Sequence, residues 1–471
     1  MKKVSIISMA ALAALVGGTQ GFANDHHEIE GPFETPMDVT LACLECHEDA
    51  SKEVMATSHW KWEKEQFIPG KGRVVRGKKN SFNNFCISIN SNWPRCTSCH
   101  VGYGWKDDTF DFSDESRVDC LICHDTTGTY KKPGAGAGMP AGFTGNAKMD
   151  KKPVDLVKVA QNAGIPTRDN CIDCHAFGGG GNNVKPGDMS NSMRKPSKEL
   201  DVHMDAKGLD FSCQQCHKTD SHDIPGNSPI VSPGGAVTMD CTDCHGDKPH
   251  RSAPASATYN KHTAKIACQT CHVTHYAKAD GTKMTWDWSA SKKGAKAIKE
   301  HGHKVYLPHK GKFTYEDNVV PSYAWYNGTS GAYTIGDTID PAGVTKLNYP
   351  LGDKNDPEAK IMPFKIHSGK QIYDTKFNYL ITPKVWGPKG DAEAYWETYD
   401  WKKASIAGMK ATGLEFSGEY DFAKTETYWP INHQVDPKEK ALKCISCHKG
   451  GDRINWKGLG YAGDPMVTKG E

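Results

Sequence analysis

The stretch CTDCHGDKPHRSAPASATYNKHTAKIACQTCH, residues 241–272, contains the pattern that decides the architecture of this chain. It opens and closes on a C-x-x-C-H unit, and His250 and His262 lie between the two units. The unit recurs along the chain, and its cysteines are Cys43 and Cys46, Cys96 and Cys99, Cys120 and Cys123, Cys171 and Cys174, Cys213 and Cys216, Cys241 and Cys244, Cys268 and Cys271, and Cys444 and Cys447. Every cysteine except Cys86 therefore belongs to such a unit.

The spacing within the unit matches the chemistry of covalent haem attachment. Two thiols add across the two vinyl groups of one porphyrin, while the adjacent imidazole reaches the iron. Zinc ribbons and redox-active cysteine pairs also use C-x-x-C, but neither requires a histidine after every second cysteine. We therefore predict eight covalently attached haem c groups, with proximal iron ligands His47, His100, His124, His175, His217, His245, His272 and His448.

The composition fits a chain whose interior is filled by porphyrins. Hydrophobic residues make up only 37% of the 471 residues, while Gly and Pro number 47 and 26. Seventeen cysteines in an exported chain would otherwise suggest a disulfide framework, but their regular spacing argues against one. We expect the fold class of a multihaem cytochrome c, with short α-helices and long coil packed around eight haems and little β-sheet.

The N-terminus predicts export. Lys2 and Lys3 precede an apolar run that ends in small residues, as in a signal peptide cleaved after Ala23. The run is shorter than the roughly 20 residues that span a bilayer, although a retained anchor is the alternative interpretation. We expect a periplasmic protein with no membrane span in its mature form.

The formal charge of +2 becomes misleading once the propionates of eight haems are included. The propionates make the holoprotein acidic and occupy basic side chains, so a nucleic-acid partner is not expected.

Axial ligation separates two function classes. A haem that relays electrons generally takes a second histidine, whereas a catalytic haem keeps a position open for substrate. The best second ligands, judged by helix-like context and position between motifs, are His59, His203, His222, His250, His262, His433 and either His26 or His27. The supply of histidines permits eight bis-histidine haems, or seven with one open site.

The spacing of the motifs divides the chain. Residues 1–23 form the signal peptide, 24–275 carry seven motifs, and 433–471 carry the last motif and a C-terminal tail. Residues 276–432 contain no cysteine and many aromatic residues, which predicts either a wrap around the haem core or an inserted subdomain. Within that segment, helices are expected over 289–301 and 393–411, and the aromatic residues are expected to pack against haem edges.

Several stretches together resemble the octahaem tetrathionate reductase family over essentially the whole mature chain. They are NNFCISINSNWPRCTSCH (83–100), CHDTTGTYKK (123–132), GIPTRDNCIDCHAFGGGG (164–181) and INHQVDPKEKALKCISCH (431–448). The resemblance implies a soluble periplasmic enzyme that reduces tetrathionate to thiosulfate, with hydroxylamine and nitrite as further substrates.

The resemblance also implies that the second motif holds the active-site haem, with a cysteine and a lysine in the distal pocket. Cys86 matches the cysteine by position. The lysine is Lys132 or Lys185, with Lys131 as a further candidate, and a surface position remains the alternative for each lysine. Asp188 is a further candidate residue of the site. Pro186 departs from the histidine expected in related chains.

The expected partners are a small anionic or nitrogenous substrate and a donor, either a redox partner cytochrome or a quinol-linked protein. The rival function is that of an electron-transfer or electron-storage cytochrome with no substrate of its own. A haem that exchanges its ligand would separate these classes, because a pure relay has only six-coordinate, low-spin iron.

Overall fold

The fold is described from a computed structural model, in which residues 26–82, 88–226, 239–252 and 254–468 are described. The predicted signal peptide and Cys86 therefore lie outside the described residues. Among the described residues, no helix is long and apolar enough to cross a membrane.

The helices are short, and most of them carry or flank a C-x-x-C-H motif. They are α1 (Pro36–Leu44), α2 (Ala50–Ala56), α3 (Ser58–Lys61), α4 (Trp93–Cys96), α5 (Leu121–His124), α6 (Leu156–Gln161), α7 (Arg168–His175), α8 (Cys213–Cys216), α9 (Thr242–His245), α10 (Ser256–His262), α11 (Cys268–His272), α12 (Tyr395–Thr398), α13 (Trp401–Thr412) and α14 (Cys444–Cys447). Short 3-10 helices lie at His26–Glu28, Thr97–Cys99, Glu115–Arg117, Asn191–Arg194, Trp288–Ala290 and Lys438–Lys440.

The expectation of little β-sheet is wrong. An antiparallel hairpin joins β1 (Glu63–Ile68) and β2 (Gly72–Gly77). A ten-stranded sheet contains β3 (Thr282–Asp287), β4 (Ile298–Glu300), β5 (His303–Leu307), β6 (Gly311–Glu316), β7 (Ser322–Tyr326), β8 (Ser330–Ala332), β9 (Val344–Pro350), β10 (Lys360–Asp374), β11 (Tyr379–Leu380) and β12 (Tyr420–Pro430).

All ten strands of the large sheet come from residues 282–430, the segment without cysteines. The central strand β10 pairs antiparallel with β12 over eleven residue pairs, from Phe364–Pro430 to Asp374–Tyr420, and parallel with β3. Strands β10 and β12 are rich in aromatic and β-branched residues, which pack well on a pleated surface. The helix expected over 289–301 is replaced by a 3-10 turn and the edge strand β4, whereas the helix expected over 393–411 corresponds to α12 and α13.

The sheet has a side-chain core of its own. Trp286 and Trp288 stack at 4.7 Å, and Trp288 contacts Trp401, which stacks on Tyr395 at 3.7 Å. These rings are buried with neighbouring aliphatic residues in one cluster. Most of the aromatic residues of this segment therefore pack against one another. Tyr326, Trp396 and Trp429 also line a large cavity on the helical side.

Asn92 connects the sheet region to the second motif. Its Oδ1 accepts hydrogen bonds from the backbone N–H groups of Val385 (2.9 Å) and Trp386 (3.0 Å). Its Nδ2 donates to the carbonyl of Pro383 at 3.1 Å. Asn92 immediately precedes α4, so this contact fixes the start of the second motif against residues 383–386.

Candidate active site

The helical part of the chain surrounds one continuous cavity of about 3550 Å³. Cysteines of all eight motifs line this cavity, together with fourteen histidines. Protein interiors are normally close-packed by side chains, so a cavity of this size indicates the binding site of a large group.

The fourteen histidines meet in seven pairs, each joining a motif histidine to a histidine outside the motifs. The pairs are His47–His26, His124–His222, His175–His59, His217–His433, His245–His203, His272–His250 and His448–His262, with ring centroids between 6.0 and 6.4 Å apart. An iron bound by both rings would separate the centroids by about 6 Å, because each metal–nitrogen bond is about 2 Å and each ring nitrogen lies about 1 Å from its centroid. The pairs therefore fit axial ligation of haem iron. They include six of the second-ligand candidates and, of the alternatives His26 and His27, they contain His26.

The hydrogen bonds of these rings leave the correct nitrogen for the metal. Nδ1 is bonded in His26, His124, His217, His222, His250, His262, His433 and His448. A backbone carbonyl can only accept, so in the rings that contact one, Nδ1 carries the proton and the Nε2 lone pair is available to a metal.

A regular backbone turn presents the cysteines and histidine of most motifs to the cavity. The N–H group of the motif histidine donates to the carbonyl of the first cysteine at His47, His124, His217, His245 and His448, at 2.9–3.1 Å. This is the hydrogen bond of one α-helical turn, in which positions i, i+3 and i+4 share a face. The two thiols and the imidazole therefore reach the same porphyrin site.

The second motif departs from this geometry. The N–H group of His100 donates to Thr97, three residues back, and His100 is in an extended conformation. Its Nε2 lies 2.6 Å from the carbonyl of Trp60, and the ring is not part of the cavity wall, whereas Cys96 and Cys99 are. In this arrangement His100 does not fit the ligand role expected of it.

An aromatic box surrounds the His100 ring. The neighbouring rings are those of Trp60, Trp62, Trp105, Phe110 and Phe112, at centroid distances of 4.7–6.1 Å. Burial lowers the pKa of His100 to about 3, and the charge of Lys132 contributes. Within the described part of the chain, no second histidine ring contacts His100, which distinguishes this motif from the other seven.

Lys132, one of the two favoured lysines, is held by the protein. Its Nζ donates to the carbonyl of His100 at 2.6 Å and to Asp119 Oδ2 at 2.8 Å, and both side chains of the ion pair are buried. The hydroxyl groups of Tyr103 and Tyr130 donate to the other oxygen of Asp119, each at 3.0 Å. Lys132 therefore anchors the second motif to the third, which begins directly after Asp119.

Lys185 and Lys78 line the cavity near the same motif. The alkyl chain of Lys185 lies over Gly178 and Gly179, where a Cβ would crowd it, and its Nζ is 5.9 Å from the Trp429 ring centroid. The Nζ of Lys78 lies 4.1 Å above the Trp62 ring, and burial lowers its pKa. Lys78, Lys132 and Lys185 all interact electrostatically with Cys99.

The remaining candidates occupy different places. Lys131 forms an exposed ion pair with Asp173 at 3.1 Å. Asp188 is buried and accepts hydrogen bonds from the backbone N–H groups of Asn432 and His433 and from His433 Nδ1 at 3.1 Å. Asp188 thus orients His433 instead of joining the lysines at Cys99. The sequence did not identify Lys78 as a site residue. It lies in GKKN (77–80), directly after β2, and this short polar stretch carries no motif that indicates a position in a cavity wall.

Thiols from different motifs contact one another and so give the spatial order of the motifs. Hydrogen-bond contacts join Cys43 to Cys120, Cys99 to Cys174, Cys171 to Cys213 and Cys241 to Cys268. Electrostatic interactions join Cys123 to Cys171, Cys216 to Cys244 and Cys271 to Cys447. The motifs therefore follow one another in the order first, third, fourth, fifth, sixth, seventh, eighth, and the second lies beside the fourth.

Comparison with solved structures identifies the architecture. The fold is similar to the crystal structure of octaheme cytochrome c from Shewanella oneidensis, with a TM-score of 0.87 and 52% sequence identity, over 95% of this chain and 99% of that chain. The chain belongs to the octahaem cytochrome c family. This membership supports covalently bound haem c and a redox function based on several haems.

Two further comparisons also find similarity to this octahaem cytochrome c. The family described as Cytochrome c bacterial matches residues 283–451, which include most of the large sheet and the eighth motif. An uncharacterized protein of Archaeoglobus fulgidus is 26% identical over 275 residues, covering 48% of this chain and 90% of that protein.

Proposed function

We propose that this octahaem cytochrome c is a periplasmic reductase that acts on tetrathionate at the second motif and also accepts hydroxylamine and nitrite. The observation that carries the proposal is the difference between seven motif histidines, each paired with a second histidine, and His100, which is enclosed by aromatic rings. A chain built only to relay electrons has no need for one dissimilar site among eight.

The charges around the second motif suit an anionic substrate. Tetrathionate is a dianion, and Lys78 and Lys185 lie in the cavity wall near Cys99. Lys132 is already neutralised by Asp119, so we assign it to anchoring and assign anion binding to Lys78 and Lys185. A cation in a wall shielded from water attracts an anion more strongly than one on an open surface.

Cys86 supplies the sulfur chemistry in this proposal. Its thiolate attacks one of the two central sulfurs of tetrathionate, forming a bond to that sulfur and releasing one thiosulfate. Haem c, when attached to the cysteines of the motifs, would supply the two electrons that the reduction requires. The two electrons cleave the new sulfur–sulfur bond, which releases the second thiosulfate and restores the thiolate.

The test is Cys86→Ala in the eight-haem protein, with reduced dye as electron donor. Tetrathionate reduction is expected to be abolished, while hydroxylamine reduction, which needs no thiol, is retained. Retained hydroxylamine activity and the haem content together show that the variant is folded. Tetrathionate reduction at the rate of the unmodified protein would overturn the thiolate step.

Electron paramagnetic resonance with and without tetrathionate tests the broader proposal against the rival electron-transfer cytochrome. A reductase is expected to show one haem signal that changes on addition of substrate. A spectrum of only six-coordinate, low-spin haems that is unchanged by tetrathionate, hydroxylamine and nitrite would favour the relay. The electron donor proposed for either function is a cytochrome or a quinol-linked protein.

A further inference from the structure

Three of the seven histidine pairs have a carboxylate behind one ring. Glu53 Oε2 lies 2.6 Å from His222 Nδ1, Asp188 Oδ2 lies 3.1 Å from His433 Nδ1, and Asp464 Oδ1 lies 2.5 Å from His448 Nδ1. Each carboxylate contacts Nδ1, which leaves Nε2 available to a metal. These pairs belong to the third, fifth and eighth motifs.

Rings of other pairs contact neutral acceptors through the same nitrogen. His26 Nδ1 lies 3.2 Å from the carbonyl of Ala163, and His250 Nδ1 lies 3.1 Å from Asn260 Oδ1, in the first and seventh motifs. In the sixth motif, Asp201 lies 4.0 Å from His203 Nδ1, beyond hydrogen-bond reach. The carboxylate contact is therefore a property of particular motifs and not of all.

A carboxylate at this position changes the electronic character of the ligand. It withdraws the Nδ1 proton partially, so Nε2 becomes a stronger electron donor to a metal. Its negative charge also favours the more positive, oxidised iron. Both effects act in the same direction and lower the reduction potential, whereas a carbonyl or amide acceptor only orients the ring.

We infer that Glu53, Asp188 and Asp464 are positioning residues that lower the reduction potentials of the haems of the third, fifth and eighth motifs relative to those of the first and seventh. In the spatial order of the motifs, low-potential sites then lie among higher-potential ones. The third and fifth motifs are then low-potential sites inside the series, and the eighth is a low-potential site at its end. This inference rests on the paired histidines as iron ligands and is independent of tetrathionate reduction.

The first test is Glu53→Gln, followed by potentiometric titration of the eight-haem protein monitored by electron paramagnetic resonance. Glutamine keeps the shape and an acceptor oxygen but removes the charge. One of the eight components is expected to shift to higher potential, with altered g values for that low-spin haem. Glu53 is chosen for substitution because Asp188 and Asp464 also accept hydrogen bonds from backbone N–H groups. Substitution of either aspartate would therefore disturb folding as well.

The reciprocal test is Asn260→Asp, which places a carboxylate behind His250. One component, different from that moved by Glu53→Gln, is expected to shift to lower potential. The control is Glu65→Gln, which removes an exposed carboxylate paired with Arg73 on the β1–β2 hairpin, and no component should move. Haem content verifies that each variant carries eight haems. An unchanged titration curve in both Glu53→Gln and Asn260→Asp would overturn the inference, whatever the activity toward tetrathionate.

Discussion

Residue identity decides how the second motif differs from the others. Thr97 is fully buried, and its Oγ1 lies within hydrogen-bond distance of the carbonyls of Trp93 (2.8 Å) and Trp105 (2.7 Å). These contacts hold the turn between the cysteines as a 3-10 helix, so the His100 N–H group bonds to Thr97 instead of Cys96. A tighter turn rotates the following residue away from the helical face. A single buried threonine thus accompanies the change in direction of His100.

At the same scale, the ion pair of Lys132 with Asp119 predicts a large effect on stability. Asp119→Asn leaves the Lys132 ammonium group buried without its counter-charge, which is expected to cost about 3–5 kcal/mol. Thermal unfolding of the eight-haem protein measures the loss. The matched control is Asp49→Asn, which removes the partner of the exposed Lys52 and is expected to leave the melting temperature nearly unchanged. Equal losses in the two variants would contradict the structural role of Asp119.

The elements of this protein divide into two kinds. The motif helices are of only four to nine residues and too short to be stable in isolation, so they depend on what they pack against. The sheet has long ladders and a cluster of buried tryptophans. Helix α13 belongs to the sheet region, where Gly408 lies so close to Thr382 that a Cβ would be 1.8 Å from its carbonyl oxygen.

The end of β10 provides a pH-dependent contribution to stability. Burial raises the pKa of Asp374, but hydrogen bonds from the N–H groups of Ser417 and Phe377 outweigh it and hold the pKa below its usual range. A depressed pKa contributes stability above the unfolded value of about 3.9, and the contribution is lost as pH falls through the folded value.

Asp374→Asn is therefore expected to destabilise the protein by about 1–3 kcal/mol at neutral pH. The difference in melting temperature from the unmodified protein should narrow as pH falls below about 4. The control Asp421→Asn changes an exposed carboxylate that accepts only from the adjacent N–H of Phe422, and little change is expected. A difference that stays constant with pH would contradict the charge-dependent role of Asp374.

The whole molecule combines a porphyrin-filled half and a side-chain-filled half. Residues 26–272 and the segment of the eighth motif supply most of the wall of a cavity of about 3550 Å³, whereas residues 282–430 bury an aromatic core of their own. Empty apolar volume of this size is costly, so the helical half needs its haems to stay folded. The sheet half has a buried side-chain core of its own, so we expect it to depend less on haem.

In protein made without haem attachment, the helical half is therefore expected to unfold more readily than the sheet half. Limited proteolysis should cut first within residues 26–272 and leave a resistant fragment that contains 282–430, as identified by mass spectrometry. The eight-haem protein provides the control, and both halves should resist in it. Equally rapid cleavage of both halves in the haem-free protein would contradict the independent core of the sheet.

The sequence by itself determined the number and position of the haem attachment motifs, because C-x-x-C-H is a local pattern set by covalent chemistry. Its flanking contexts also identified six of the seven histidines that the structure places beside motif histidines, and they left His26 and His27 as alternatives for the seventh. Only the tertiary structure decided the ten-stranded sheet, the turn of His100 toward Trp60 and the positions of Lys78 and Lys132. These features depend on contacts between residues far apart in the chain, such as Asn92 with Val385, and long-range pairing leaves no periodic signal in a segment rich in turns.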